Sequence, residues 1–436
     1  MDCNFLSMTL TEAQQRDSLL WGKRLTEHCL HFSPPSHGGW GIVRVGMLVP
    51  QSVMLFIAPP ACGRHGAIAG IQQGFKDRLF YLYTSEVDLV TGEHLELVSE
   101  AVAEILETAT PRPEALILCV SCVDYLLGSD FESIAQELEL SYGIPVRLSY
   151  MNPIAMDGAA PPPPNMQKTI YSFIHPATGK DRGINLIGNF VPLEQRSELG
   201  AVLTQAGYGP LRHIGACETL DDLQAMGRSG HNLLLRPEGR LAAVMLRDKL
   251  GIPFCTTPVA YSMEGIAKQY QSIGALLGVE LDAERYRLEA LQAVAAAQAR
   301  LGRLKLAVSS TANALPFEIS RALTEYGFEV SYIFTDEILP MDAAHLEWLI
   351  QNSPQTRVLT NTHPTMPIFA AAEHPVDIAI GFTAGYYCNC SRTVPLTLDV
   401  QPYGYRAVEH LLNAMIAAWE NPQDLRQMIL DATIVI

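Results

Sequence analysis

The chain has 436 residues, 48% hydrophobic and 17% charged: too long for one core, so on the order of two to four domains, with a charge-poor surface that fits coverage by another subunit. A net charge of −16 argues against a phosphate-backbone partner, which needs clustered Lys and Arg, so nucleic-acid binding is not expected. No apolar run has bilayer length and the N-terminus lacks a basic start followed by an apolar stretch, so the expectation is a cytoplasmic protein without membrane contact, whose nine cysteines are buried thiols or metal ligands and not bridges.

Apolar, strand-like runs alternate with helical patterns along most of the chain. Residues 1–35 read as an N-terminal arm. Strands are predicted at 53–58 and 115–120, a helix at 131–140 and a strand at 143–148. The tract 159–165, with four consecutive prolines, reads as an extended polyproline-like loop. A strand at 183–187 leads to a helix at 193–206; a long Ala- and Arg-rich helix spans 283–304. A strand at 304–308, a helix at 316–326 and strands at 329–334, 357–360 and 376–380 complete the pattern. Strand–helix–strand alternation with short Gly or Pro turns implies parallel sheets covered on both faces. The fold class is therefore α/β, drawn as three Rossmann-like domains at 36–178, 179–300 and 301–436.

Three cysteines in the first third stand out: Cys29, Cys62 and Cys122. Their contexts are His28-Cys29-Leu30, Pro60-Ala61-Cys62-Gly63 and Ser121-Cys122-Val123-Asp124. Cys62 and Cys122 each follow a strand-like run, and ligands of parallel α/β sheets sit beyond the carboxyl ends of strands. Strand-end thiols converging on one place suit a soft metal, an iron–sulfur cluster above all. Nearby His28, His31, His37 and His65 read as surface or hydrogen-bonding residues. Cys119, inside an apolar run, reads as core, as does Cys255; Cys388 and Cys390 form a C-x-C read as buried structural thiols. Ser309-Ser310-Thr311-Ala312-Asn313, between a strand and a helix, has the sequence of an anion-binding helix start. No P-loop occurs, so any nucleotide hydrolysis falls to another protein. Nothing nominates a Ser-His-Asp triad.

Several ordered features resemble component 1 of nitrogenase and its nitrogenase-like relatives, over about residues 25–430. Ser121-Cys122-Val123-Asp124-Tyr125-Leu126-Leu127-Gly128-Ser129-Asp130 is similar to the turn around that family's third cysteine. Pro59-Pro60-Ala61-Cys62-Gly63 is similar to its second, and Glu86-Val87-Asp88-Leu89-Val90-Thr91-Gly92 to the acidic–apolar–Gly stretch between them. Cys29 followed by Trp40-Gly41 fits one branch for the first. The resemblance implies that Cys29, Cys62 and Cys122 hold this subunit's half of an inter-subunit iron–sulfur cluster of the P-cluster type, 8Fe–7S or a simpler 4Fe–4S. It also implies a homologous α subunit in an α2β2 heterotetramer and a homodimeric, ATP-dependent iron–sulfur reductase as partners.

Two departures shape the assignment. Cys29 and Cys62 stand 33 positions apart, wider than the family's usual gap, which leaves His28, His31 and His37 as alternatives for the first ligand. Where catalytic α subunits carry a cofactor cysteine, His231-Asn232-Leu233-Leu234-Leu235-Arg236-Pro237 places Arg236, and 394–400 contains no His. The stretch Tyr403-Gly404-Tyr405-Arg406-Ala407-Val408 is similar to the β-type pattern. The chain therefore reads as the β-like subunit of a nitrogenase-like oxidoreductase, relaying electrons to an active-site cofactor in the α subunit. The expected substrate class is methylthio-alkanes, with reductive C–S cleavage. A cofactor-assembly scaffold, a tetrapyrrole (protochlorophyllide or nickel-tetrapyrrole) reductase subunit and a nitrogenase β subunit proper remain open alternatives.

Overall fold

The computed structural model describes residues 7–16, 18–19, 22–25, 41–152, 162–369, 371–373 and 375–432. Strand β1 (Ser52–Ala58) is buried along its whole length, as a continuous apolar run must be when both faces of its sheet are covered. It leads through α1 (Pro60–Gln72), β2 (Leu79–Tyr83), α2 (Glu86–Thr91) and α3 (His94–Thr108) to β3 (Ala115–Ser121). Helices α4 (Cys122–Leu127) and α5 (Phe131–Tyr142), strand β4 (Val146–Met151) and helix α6 (Pro162–Tyr171) follow. The sheet order is β2-β1-β3-β4 and every pairing is parallel.

The two faces of this sheet have separate cores. Val98, Val102 and Ile105 of α3, with Phe131, Ala135 and Leu138 of α5, cover Val53, Leu55, Ile57, Leu116 and Leu118. On the other face Met54, Phe56, Ile117 and Cys119 share one core with Met166 and Ile170 of α6 and with a second sheet. That sheet comprises β5 (Ile184–Ile187), β6 (Leu211–His213), β7 (His231–Leu234) and β8 (Phe254–Thr256), ordered β8-β7-β5-β6, again all parallel. Both sheets belong to one compact unit, residues 38–192 with 208–256.

The second unit takes in Leu193–Gly207 and Thr257–Ile436 with the chain's start. Its six-stranded sheet runs in the order Ser7–Thr9, Arg357–Leu359, Glu329–Phe334, Lys305–Ser309, Ile378–Ile380, Thr393–Val394, parallel except for the Ser7–Thr9 edge. The long helix is Glu284–Leu301 and lies along Tyr405–Glu420. The α/β class with helix-flanked parallel sheets is thus observed, and among the described residues no helix is long and apolar enough to cross a membrane.

Three local expectations need correction. The described part of the proline tract is not extended: Pro162, Pro163 and Pro164 open helix α6. Proline is tolerated in a first turn, where its missing N–H has no intrahelical partner to lose. The helix expected at 193–206 begins only at Leu199. Ser197 instead turns back on Glu194, and Glu198 spends its carboxylate on the backbone N–H groups of Tyr405 and Arg406. The Ser309–Asn313 hydroxyl and amide groups are engaged internally: Ser309 pairs with Thr311 at 2.7 Å, and Asn313 donates to the Val400 carbonyl at 2.6 Å.

Candidate metal centre

Because β1 and β3 are adjacent and parallel, whatever follows each strand lands on the same edge of the sheet. After β1, Pro59-Pro60 starts α1, and Cys62 sits in its first turn with its N–H bonded to the Pro59 carbonyl at 3.0 Å. After β3, Cys122 is the first residue of α4. Both cysteines are half-buried free thiols. Burial pushes the Cys62 thiol up, and Cys122 pushes it further: the two sulfurs lie within electrostatic reach of each other.

Gly63 makes room for this packing. A Cβ there would stand 2.7 Å from the Tyr83 ring, and Tyr83 stacks on Tyr81 at 5.9 Å. At the same edge α2 is fixed by a capping box between Ser85 and Asp88 and ended by Gly92 at φ 81, a left-handed conformation that glycine adopts without strain. The side chains projecting from this edge are apolar and uncovered. Tyr83, Val87, Val90, Tyr125, Leu126 and Leu127 are exposed, Val90 at 87% and Leu126 at 70%. Exposed clusters of that kind mark contact surfaces.

One buried polar contact lies directly behind Cys122. His94, the first residue of α3, meets Asp124 through Nε2 and Oδ1 at 2.8 Å, with both side chains buried. Ser121 Oγ donates to the other Asp124 oxygen at 3.3 Å. His94 Nδ1 faces the Asp88 carbonyl at 3.0 Å. Burial pushes the Asp124 carboxyl up, against the opposing pull of His94 and Ser121. Neither residue is signalled by its sequence context: His94 stands alone at a helix start, and Asp124 resembles an ordinary turn residue.

The remaining expected residues are scattered. Cys29, His28, His31 and His37 lie outside the described residues, as does the side chain of His65. Cys119 is fully buried in β3, and burial pushes its thiol up. Cys388 and Cys390 pack with Phe334, Leu359 and Tyr387; burial, then Cys390, pushes Cys388 up to about 12. Cys255 is only half-buried, on the edge strand β8. It therefore does not belong to the core, contrary to its sequence context. Arg236 follows β7 and is ion-paired with Glu238 at 3.0 Å.

Among the described residues no group of three or more His, Cys, Asp or Glu could hold a metal ion. The two described donors at the sheet edge are both thiols, and that chemistry fits a soft centre. A metal there would reverse the terms that now hold the Cys62 thiol up, since a bound cation favours thiolate over thiol.

The sequence matches the family model described as nitrogenase component 1 type oxidoreductase over residues 39–429. No curated protein matches it. Among solved structures, "Nitrogenase Cp1 at pH 6.5" is similar with TM-score 0.70 and 16% identity, covering 91% of this chain and 94% of that one. "Nitrogenase Cp1 at pH 5" is similar with TM-score 0.64 and 15% identity, covering 95% and 94%.

Proposed function

Since the chain belongs to the nitrogenase component 1 type oxidoreductases, we propose that it is the β-like subunit of a nitrogenase-like reductase, with Cys29, Cys62 and Cys122 as its ligands to an iron–sulfur cluster shared with a homologous α subunit. The observation that carries this reading is the pair of half-buried thiols at the ends of adjacent parallel strands, close enough for one to perturb the other. When bound, such a cluster supplies one-electron storage between an ATP-dependent reductase and the α subunit's cofactor.

The residues of this chain hold and shield. Cys62 and Cys122 donate thiolates from helix starts whose backbones are fixed by the sheet. Tyr81 and Tyr83 wall one side through their approach to Gly63. The exposed apolar side chains of α2 and α4 form the surface against which the α subunit would seat, in an α2β2 assembly, excluding water from the thiols. The β-like assignment is supported by Arg236: at the strand end where an α subunit would offer a cofactor thiol, this chain has a guanidinium tied to Glu238. The substrate class in this reading is methylthio-alkanes, reduced with C–S cleavage at the α subunit, and the compartment is the cytoplasm.

The test is iron content and electron paramagnetic resonance of the purified complex. Cys62→Ala and Cys122→Ala should each abolish or remodel the cluster signal. Full iron with an unaltered spectrum in Cys122→Ala would end the ligand assignment. Release of ethane and methanethiol from methylthio-ethane, with reductase and ATP supplied, tests the substrate class.

A further inference from the structure

His94 contacts two neighbouring helices at once. Its Nδ1 faces a carbonyl, Asp88 O, at 3.0 Å; a carbonyl only accepts, so Nδ1 carries the hydrogen. Its Nε2 faces Asp124 Oδ1 at 2.8 Å. Asp124 is held a second time by Ser121, and the His94 ring lies 6.4 Å from that of Phe131. His94, Asp124 and Ser121 are each 2% exposed or less. Cys122 stands between Ser121 and Asp124 in the chain. Its half-turn is therefore held through Asp124 to α3 and, through His94 and Asp88, to α2. Farther along the six-residue α4 the side chains of Leu126 and Leu127 are exposed, and Tyr125 packs edge-on against Tyr150 of β4 at 5.7 Å.

We propose that His94 and Asp124 are positioning residues: their buried contact clamps the start of α4 to α2 and α3 and holds the Cys122 thiol in its ligating orientation before any metal arrives. The inference rests on the reading of Cys122 as a ligand and adds what aims it. A buried imidazole–carboxyl contact has this effect because leaving either partner alone in the interior is costly, so the two segments cannot separate independently. The clamp acts on Cys122 and not on Cys62, whose turn is fixed by Pro59 and Pro60 at the start of α1, after another strand.

The experiment uses the full-length chain purified anaerobically without cluster. The alkylation rates of Cys122 and Cys62 by iodoacetamide are followed by peptide mass spectrometry. His94→Leu should change the Cys122 rate at least about five-fold and leave Cys62 within about two-fold. Asp124→Asn should stay near the wild-type rate, because the amide N–H can still donate to Nε2. If His94→Leu does not fold, the double variant His94→Leu/Asp124→Leu removes both buried polar groups and should show the same altered Cys122 rate. An unchanged rate in a folded leucine variant, or loss of rate control in Asp124→Asn equal to that in His94→Leu, overturns the clamp. The two readings fail separately. Full iron in Cys122→Ala ends the ligand assignment whatever the alkylation rates, and unchanged alkylation ends the clamp whatever the iron content. In the loaded complex, the conservative Asp124→Asn should keep the wild-type paramagnetic spectrum while the leucine variants broaden or shift it.

Discussion

Asp342 offers the sharpest test of how this interior treats charge. It precedes the helix Ala343–Asn352, is 1% exposed, and accepts a hydrogen bond from the Leu339 N–H to Oδ2 at 2.8 Å. Burial pushes its carboxyl up to about 7, with Glu337 and Glu318 adding to the effect against the Leu339 bond. A raised acid means that the folded chain keeps a proton the unfolded chain has released. Stability is then full below the unfolded value and declines as pH rises toward 7. At about 1.4 kcal/mol per pH unit the whole window is worth about 4 kcal/mol, of which about 3 falls between pH 5 and pH 8. Asp342→Asn keeps the shape and the acceptor for Leu339 and removes the titration. The variant should therefore gain on the wild type by roughly 3 kcal/mol between those two pH values, read from urea unfolding of both proteins at each. A stability gap that stays flat to within about 0.5 kcal/mol would mean that the carboxyl is ionised throughout, and would refute the reasoning.

Other expectations concern the first unit and the thiols. His213 is held down to about 4 by burial, so its contribution has the opposite sign: stability is lost as pH falls from about 6.5 toward 4, by up to about 3 kcal/mol. His213→Gln should move the acid unfolding midpoint lower in a circular dichroism titration. Cys119→Ala should cost about 1–2 kcal/mol as a small cavity in a packed core and leave iron content per complex unchanged, unlike Cys62→Ala. Gly63→Val should drive a side chain into the Tyr83 ring and lower iron loading even where the melting temperature changes little. Gly92→Ala, at φ 81, should cost about 1 kcal/mol, seen as faster amide exchange in α2.

How much the sequence revealed follows from which interactions are local. Strands 53–58 and 115–120 were legible because both faces of each are covered, and burial on both faces demands an unbroken apolar run of strand length. The start of the helix at Leu199 was not, because the chain before it is shaped by distant partners: Glu194 N–H bonds the Gln401 carbonyl, and Glu198 caps Tyr405. The proline tract misled because proline suits both an extended loop and a helix's first turn, and only packing of Met166 and Ile170 into the core selects the latter.

The site divides along the same line. Cys62 and Cys122 announced themselves as thiols after buried strands, and adjacency of those strands in a parallel sheet brings them together without further information. His94 and Asp124 lie 30 positions apart, on helices whose juxtaposition exists only once β2, β1 and β3 have paired. Neither residue carries a local pattern that names the other. The exposure of the apolar residues of α2 and α4 was also silent in the sequence, which shows Val90 and Leu126 to be apolar but not whether a neighbour covers them. Their exposure has a consequence for the thiols. Covering them with a second chain would desolvate Cys62 further and keep it protonated, at little cost while no metal is present, because a thiol is neutral. Loading metal must then expel that proton from a drier place. On the proposed reading, subunit docking and metal loading are thus thermodynamically linked through the protonation of Cys62, with the His94–Asp124 contact keeping Cys122 aimed in both states.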